Sequence, residues 1–399
     1  MKNTQKKMQL SLMMFIQYFI WGSWYVVMGT YLRETLNFSG QQIGFAYLTA
    51  AIASIVSPFI VGMIADRYFS ANRVMAFLNI IGAFLLIWIS KIESPNLFLG
   101  ILLLYTICYM PTTALANSIS LDNLDNPEGE FSRVRLLGSI GWIVAGLLVS
   151  FLKIEHLSSP FLIAAGISIF GFFMALMLPY KAPVKKKEKE TFFQILGSDA
   201  LGLFKKKSFS LILIFSALGC IPLGFYDSFT NMFMNNLNLA YPAAAMSSGQ
   251  AAEIVFLFTF PFFFSKLGYK KSFSAAMIAW VFLYGLFTLG SSTGLSELIY
   301  IALPLHGFCF TFFFVTGQLY VDAQAPRNLR NSAQGLIAFA TYGVGKGMGA
   351  IISGKVVDIN TLSDGSFNWV YIWGVPLIMM IIILVSFLML FKNGESSKI

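Results

Sequence analysis

Charge is what this sequence has least of. Of its 399 residues, 11% are Asp, Glu, Lys or Arg, against about 25% in a soluble chain, too few to clothe a soluble surface. Histidine is nearly absent, with only His156 and His306. The three cysteines, Cys108, Cys220 and Cys309, stand at no metal-ligand spacing and read as small packing residues. No glycine loop leads into a helix to cradle phosphate, and no polar stretch is long enough for a nucleotide-binding domain, which argues against a membrane-bound transferase or any other enzyme. A passive channel would need repeated pore residues, and none recur. No metal and no cofactor is expected.

What fills the chain instead is apolar: 57% of residues are hydrophobic and the mean hydropathy is +0.73. Crossing a bilayer as a helix takes about 20 apolar residues, and twelve such runs are separated by short polar breaks. They lie near residues 9–33, 43–65, 73–90, 97–120, 134–152, 161–180, 208–235, 243–265, 271–291, 297–322, 331–357 and 368–391. A β-barrel is excluded because its strands alternate over about ten residues, whereas these runs stay apolar for twice that length. The expected fold class is therefore all-α and integral to the membrane.

Charge is also unevenly placed. If both termini are cytoplasmic, all but five of the 27 Lys and Arg residues fall on the inner side. Arg33, Lys91, Lys153 and Lys355 lie outside, and Lys346 lies within a span. This bias orients the chain by the positive-inside rule. It also accounts for the net charge of +9 through anionic headgroups, without a nucleic-acid partner. Lys2, Lys6 and Lys7 precede a long first span with no separate cleavage pattern, so an uncleaved anchor is expected.

The longest loop, 181–207, divides the chain into two six-helix halves, 1–180 and 208–399. Its Phe192, Phe193, Leu196, Leu203 and Phe204 either lie flat on the membrane beneath the lysines or belong to a solvated linker. A basic, glycine-containing turn follows the second span of each half, at Gly62 to Arg73 and at Ser265 to Lys271. Repeated halves with corresponding loops suit a transporter whose site lies at the midplane between them.

Charged residues inside the runs point to such a site. Glu253 sits in the apolar stretch 243–265 with Gln250 three residues before it, on one helix face. An unpaired charge at that depth costs about 2.5 kcal/mol or more, so such residues mark pathways for polar solutes or protons. Asp227 lies well inside span seven, and these two carboxyls are the candidates for a coupled proton. Asp122 and Asp322 sit at inner helix ends, as caps or gate charges. Lys346, among Gly343, Gly345, Gly347 and Gly349, needs a carboxylate or a wet cavity, and either Asp227 or Glu253 would serve. Gln17, Trp21 and Trp24 share a helix face that either lines a cavity or packs against another span.

Gly62-Met-Ile-Ala-Asp66-Arg67 resembles the inner-loop signature of the major facilitator superfamily, with Tyr68 to Arg73 replacing the usual Gly-Arg-Arg continuation. The resemblance implies a gating role for Asp66 and Arg67. Further motifs resemble the bacterial nucleoside:proton symporter (nucleoside permease) family within that superfamily. They are Trp21-Gly-Ser-Trp24 in span one; Tyr109-Met-Pro111-Thr112 through Asn117 in span four; and Arg135, Gly138, Ser139 and Gly141 opening span five. Later come Gln250-x-x-Glu253 and Pro261-Phe-Phe in span eight, then Ser332-Ala-Gln-Gly335 and Ser353-Gly-Lys-Val-Val357 at the two ends of span eleven. Each is short, but together, in order and at matching spacing, they are specific.

The resemblance implies a major facilitator fold and a proton-driven importer of nucleosides in the inner membrane, alternating access between its halves; a monomer is expected. Its substrate positions carry over onto Arg135, Ser139, Trp142, Asp227, Gln250, Glu253, His306 and Phe310, with Asn117 a further candidate. Those residue types suit a nucleoside, which needs an aromatic face for its base and fixed polar groups for its edge and ribose. Three positions depart from the family pattern: Asp227 replaces an asparagine, His306 a tyrosine, and Thr311 an intramembrane aspartate. The proton's seat and the substrate are both open to change as a result. A sugar:proton symporter or drug:proton antiporter of the same superfamily is the alternative.

Overall fold

A chain in lipid must satisfy its backbone hydrogen bonds internally, and each apolar run does so by forming a helix. The structure, a computed structural model, describes residues 3–60, 69–179 and 198–391. Among these the first spanning helices are α1 (Thr4–Glu34, broken by a turn at 25–27), α2 (Gly40–Ile60), α3 (Ala71–Ile89) and α4 (Pro95–Asn123). α5 (Pro127–Phe151), α6 (Ser159–Met177) and α7 (Lys207–Asn236) follow. Pro242–Thr293 continues for 52 residues, but Gly268 has φ 66° and ψ −174°, a backbone setting that only glycine adopts readily, so two helices meet there. They are α8 before Gly268 and α9 after it. α10 (Ser296–Gln324), α11 (Arg330–Ile359) and α12 (Trp369–Leu390) follow; among the described residues 10 helices are long and apolar enough to cross a membrane, with Pro242–Thr293 counted once, roughly consistent with the twelve expected runs.

Two departures from regular α-helix were not anticipated. Thr311–Val315 in α10 and Phe339–Gly345 in α11 are π-helical. Such wide turns each accommodate an extra residue and occur often at functional sites.

The described chain divides into two compact units. The first is Met1–Phe38, Ile52–Lys189 and Tyr241–Ser247; the second is Ser39–Ala51, Glu190–Ala240 and Ser248–Ile399. Most of the expected linker lies outside the described residues. Its end forms a short 3-10 helix, Ser198–Lys205, that buries Ala200 and Leu203 and exposes Leu201 and Phe204.

In the first unit α1 lies against α5 and α6, while α3 lies against α4 and α6. Gly141 of α5 meets the backbone of Phe15, so a side chain there would part α5 from α1. Gln17 is 1% exposed and accepts from Thr112 Oγ1 at 2.8 Å, while Tyr109 donates to its carbonyl at 2.5 Å. Trp24, 1% exposed, stacks on Phe161 at 5.9 Å. Packing is thus the role of Gln17 and Trp24.

In the second unit α7 lies against α11 and α12. A Cβ on Gly224 would fall 2.5 Å from the Gly349 carbonyl carbon, so α7 and α11 touch backbone to backbone. The start of α2, residues 39–51, also belongs here. Ser39 and Gln42 form a capping box: the Ser39 N–H donates to Gln42 Oε1 at 2.8 Å and the Gln42 N–H to Ser39 Oγ at 3.2 Å. Two more N–H groups, of Gly40 and Gln41, donate to the Asp358 carboxylate at 2.5 and 2.9 Å. In the first unit Glu155 does the same for α8, accepting from the Ala243 N–H at 3.0 Å and from Ser150 Oγ at 2.6 Å.

A carboxylate facing helix N-terminal N–H groups satisfies orphan donors and opposes the helix dipole. Asp358→Ala is expected to cost about 1 kcal/mol, the usual worth of a lost cap. Thermal unfolding in detergent measures this; an unchanged midpoint would mean that the Ser39–Gln42 box suffices.

Candidate functional site

Steric access decides which charges meet in the second unit. Gly345 of α11 faces the Ala217 carbonyl at 2.5 Å and Cys220 Cβ at 2.6 Å from its would-be Cβ, which clamps α11 onto α7 just before Lys346. Lys346 then reaches Asp227, Nζ to Oδ2 2.8 Å, with side chains 21% and 15% exposed. Of the two carboxylates open to it, the lysine meets Asp227. Its Nζ also lies 5.5 Å from the centroid of the Tyr342 ring, one turn earlier.

Beside Asp227, Tyr226 carries the site onto α10. Its ring stacks on His306 with centroids 4.1 Å apart and planes 5° from parallel. His306 in turn lies 6.0 Å from Phe310. His306 Nδ1, Tyr226 Oη and Thr311 Oγ1 are buried without a hydrogen-bond partner.

α8 is brought to this cluster by Gly307, whose would-be Cβ overlaps the Glu253 N–H and the Gly249 carbonyl. From the other side, Gly249 has His306 Cβ 3.4 Å from its own would-be Cβ. Gln250 and Glu253 therefore sit on the stretch of α8 that α10 touches, both half-buried, and Gln250 Oε1 is a further buried acceptor without a partner. The structure thus gathers Asp227, Lys346, His306 and Phe310, with Gln250 and Glu253 on the adjoining helix. A buried polar atom without a partner costs about 1–3 kcal/mol unless water or a ligand meets it, so such a cluster is a place prepared for a polar guest. Tyr226 is the member that sequence reading missed, and its only signal was its position beside Asp227.

The first unit holds the other expected residues. Arg135 lays its guanidinium over the Tyr18 ring, 4.1 Å from the centroid. Trp142 meets Trp21 edge to face at 5.3 Å and Tyr25 at 6.2 Å. Ser139 is half-buried, and the Oδ1 of half-buried Asn117 has no partner. This is an aromatic wall with one cation and a few neutral polar groups.

Asp66 and Arg67 lie outside the described residues. Asp122 is exposed, and Asp322 pairs with Arg330 at 3.5 Å, as a charge at a helix end does. Among the described residues, no three His, Cys, Asp or Glu side chains gather as a metal ion would require.

With this geometry established, similarity to known proteins can be stated. A family model described as nucleoside H+ symporter matches residues 4–396. The chain is 36% identical to the putative nucleoside transporter YegT of Escherichia coli (strain K12), over 99% of this chain and 95% of that one. It is 34% identical to the xanthosine permease of the same organism, over 92% and 91%. Superposition on the crystal structure of the nucleoside transporter NupG gives a TM-score of 0.89 at 31% identity, over 98% of this chain and all of that one. The POT family transporter PepTSo shares the fold alone, with a TM-score of 0.75 at 14% identity.

Proposed function

The chain belongs to the nucleoside H+ symporter family, and we propose that it imports nucleosides across the bacterial inner membrane, each with a proton, as a monomer with cytoplasmic termini. Alternating access of the halves 1–180 and 208–399 carries the substrate. The observation that supports this most is the cluster in the second unit, where a buried ion pair, an aromatic stack and several unpartnered polar atoms adjoin Gln250 and Glu253.

The chemistry fits the guest. A nucleoside has a flat base, donors and acceptors on its edge, and two vicinal hydroxyls. Trp142, His306 and Phe310 supply faces for the base. Gln250, Ser139, Asn117 and Arg135 supply donors and acceptors, and an ionised carboxylate accepts from ribose hydroxyls, a stronger bond than a neutral one. Glu253 and Asp227 are the two groups able to take the proton, and Asp66 and Arg67 work the inner gate.

Proton entry drives uptake with about 1.4 kcal/mol per pH unit and about 2.3 kcal/mol per 100 mV. In proteoliposomes, labelled uridine or adenosine is expected to accumulate when the outside is acid and merely to equilibrate without a gradient. A panel of purine and pyrimidine nucleosides should compete, and sugars should not. Equal competition by sugars, or uptake indifferent to the gradient, would overturn the proposal.

A further inference from the structure

Lys346 has one partner in hand and an aromatic face within reach. Its Nζ is bonded to Asp227 at 2.8 Å, and the Tyr342 ring centroid lies 5.5 Å away, inside the range over which a cation is drawn to an aromatic face. Tyr342 is held at that place, with its ring stacked on Phe314 at 5.3 Å and 20°.

Beyond Tyr342 lies a cavity of about 20 Å³, lined by Ser216, Gln318, Gln334 and Thr341 among others. That is room for one water by the usual measure of about 10–15 Å³. Ser216 Oγ is buried there without a partner, the kind of atom such a water satisfies. The two π-helical segments both line this cavity, through Phe313 and Phe314 and through Thr341 and Tyr342, and the second ends at Gly345, immediately before the lysine.

We propose that Lys346 is a positioning residue for proton coupling, moving from the Asp227 carboxylate to the Tyr342 face and its cavity when Asp227 takes the coupled proton. This rests on the nucleoside symport reading above. In the step, a hydronium ion from the outside gives its proton to a carboxylate oxygen of Asp227 and leaves as water, and Lys346 keeps its own protons and its charge. Only the ion pair breaks. The carboxylate becomes neutral, so the ammonium is left in a low-dielectric setting without a counter-charge, and it settles where a ring face and a water receive it. Loss of the proton to the inside restores the pair. Proton and lysine thus compete for one carboxylate, and the competition links the proton to the α7–α11 contact.

Among the described residues, the titratable groups recorded as sensing Asp227 would not replace the lysine. His306 approaches from α10 and Tyr284 from α9, with Tyr226 and Cys220 on α7 itself. His306 is engaged in its stack on Tyr226, and the tyrosines and cysteine carry no positive charge in any protonation state.

The test uses the second berth, because Tyr342 is not among the residues assigned to the nucleoside. Tyr342→Phe keeps a ring face and Tyr342→Leu removes it. In proteoliposomes two quantities are read: exchange of labelled nucleoside against unlabelled nucleoside with no gradient, and accumulation driven by an acid exterior. Tyr342→Leu is expected to exchange as wild type does but to lose at least about tenfold in accumulation, the factor that one pH unit supplies. Tyr342→Phe is expected to keep both. Equal accumulation in Tyr342→Leu and wild type would overturn the proposal. So would joint loss of exchange and accumulation in Tyr342→Leu, or equal losses in the Phe and Leu variants. Wild-type protein that exchanges no nucleoside would instead overturn the nucleoside reading itself.

Discussion

Glu253→Gln is expected to let nucleoside equilibrate across the membrane yet never accumulate. The reason lies in what an amide keeps and what it loses. It keeps the length, the shape and an oxygen able to accept from a ribose hydroxyl, so α8 retains its contact with α10 through Gly249 and Gly307. It loses the ability to take up a proton and pass it on to Asp227, and without that relay uptake is no longer tied to the gradient. One pH unit with 100 mV supplies together about 3.7 kcal/mol, or several hundredfold in concentration at 1.4 kcal/mol per factor of ten. Losing all of it is a far larger effect than losing one hydrogen bond to substrate, about 1 kcal/mol. Measuring the steady inside-to-outside ratio of labelled nucleoside in vesicles separates the two. Full accumulation by Glu253→Gln would remove Glu253 from the coupling step and leave Asp227, with Lys346 as its partner, to carry the proton.

How much of this was legible in the sequence follows from which interactions are local. The twelve helices were, because a run of about 20 apolar residues has no other stable form in lipid. The charged members of the site were also visible, since Asp227, Glu253 and Lys346 interrupt such runs. Their pairing was not. Lys346 had two possible partners, and what decides for Asp227 is the backbone contact of α7 with α11 at Gly224, Gly345 and Gly349, a tertiary fact. The π-helical turns were equally hidden, because nothing in the hydropathy of Phe339–Gly345 differs from an α-helical run.

Other features were missed although a signal existed. Ser39-Gly-Gln-Gln42 is a capping box in plain sight, but attention to apolar periodicity passes over helix starts. Asp358 and Glu155 carry no such local mark, since each serves a helix distant in the chain. Gln17 and Trp24 show the opposite ambiguity. Their shared face was legible, but only the hydrogen bond from Thr112 and the stack on Phe161 show that the face packs.

The second large effect comes from a residue with no side chain at all. Gly307→Val is expected to abolish transport, because the contact it serves has no give. A Cβ at 307 would overlap the Glu253 N–H and the Gly249 carbonyl, both backbone atoms fixed within α8, so no rotamer change relieves it. The helices must separate instead. Forcing bulk into a packed contact costs typically about 1–3 kcal/mol in stability, which a large membrane protein can survive. Function is more exposed, since displacing α10 moves His306 and Phe310 away from Gln250 and Glu253, and a misplacement of about 1 Å can cost a hundredfold in rate. Gly307→Ala, with the smallest side chain, should show the same direction in milder form. Gly166→Val on α6 is the control, because nothing lies within 4 Å of a Cβ there. Uptake rate and thermal midpoint, measured together on the three variants, separate a lost site from a lost fold. A Gly307→Val protein that transports like Gly166→Val would mean that α10 does not need its close seat on α8, and that Gln250 and Glu253 work without His306 and Phe310 beside them.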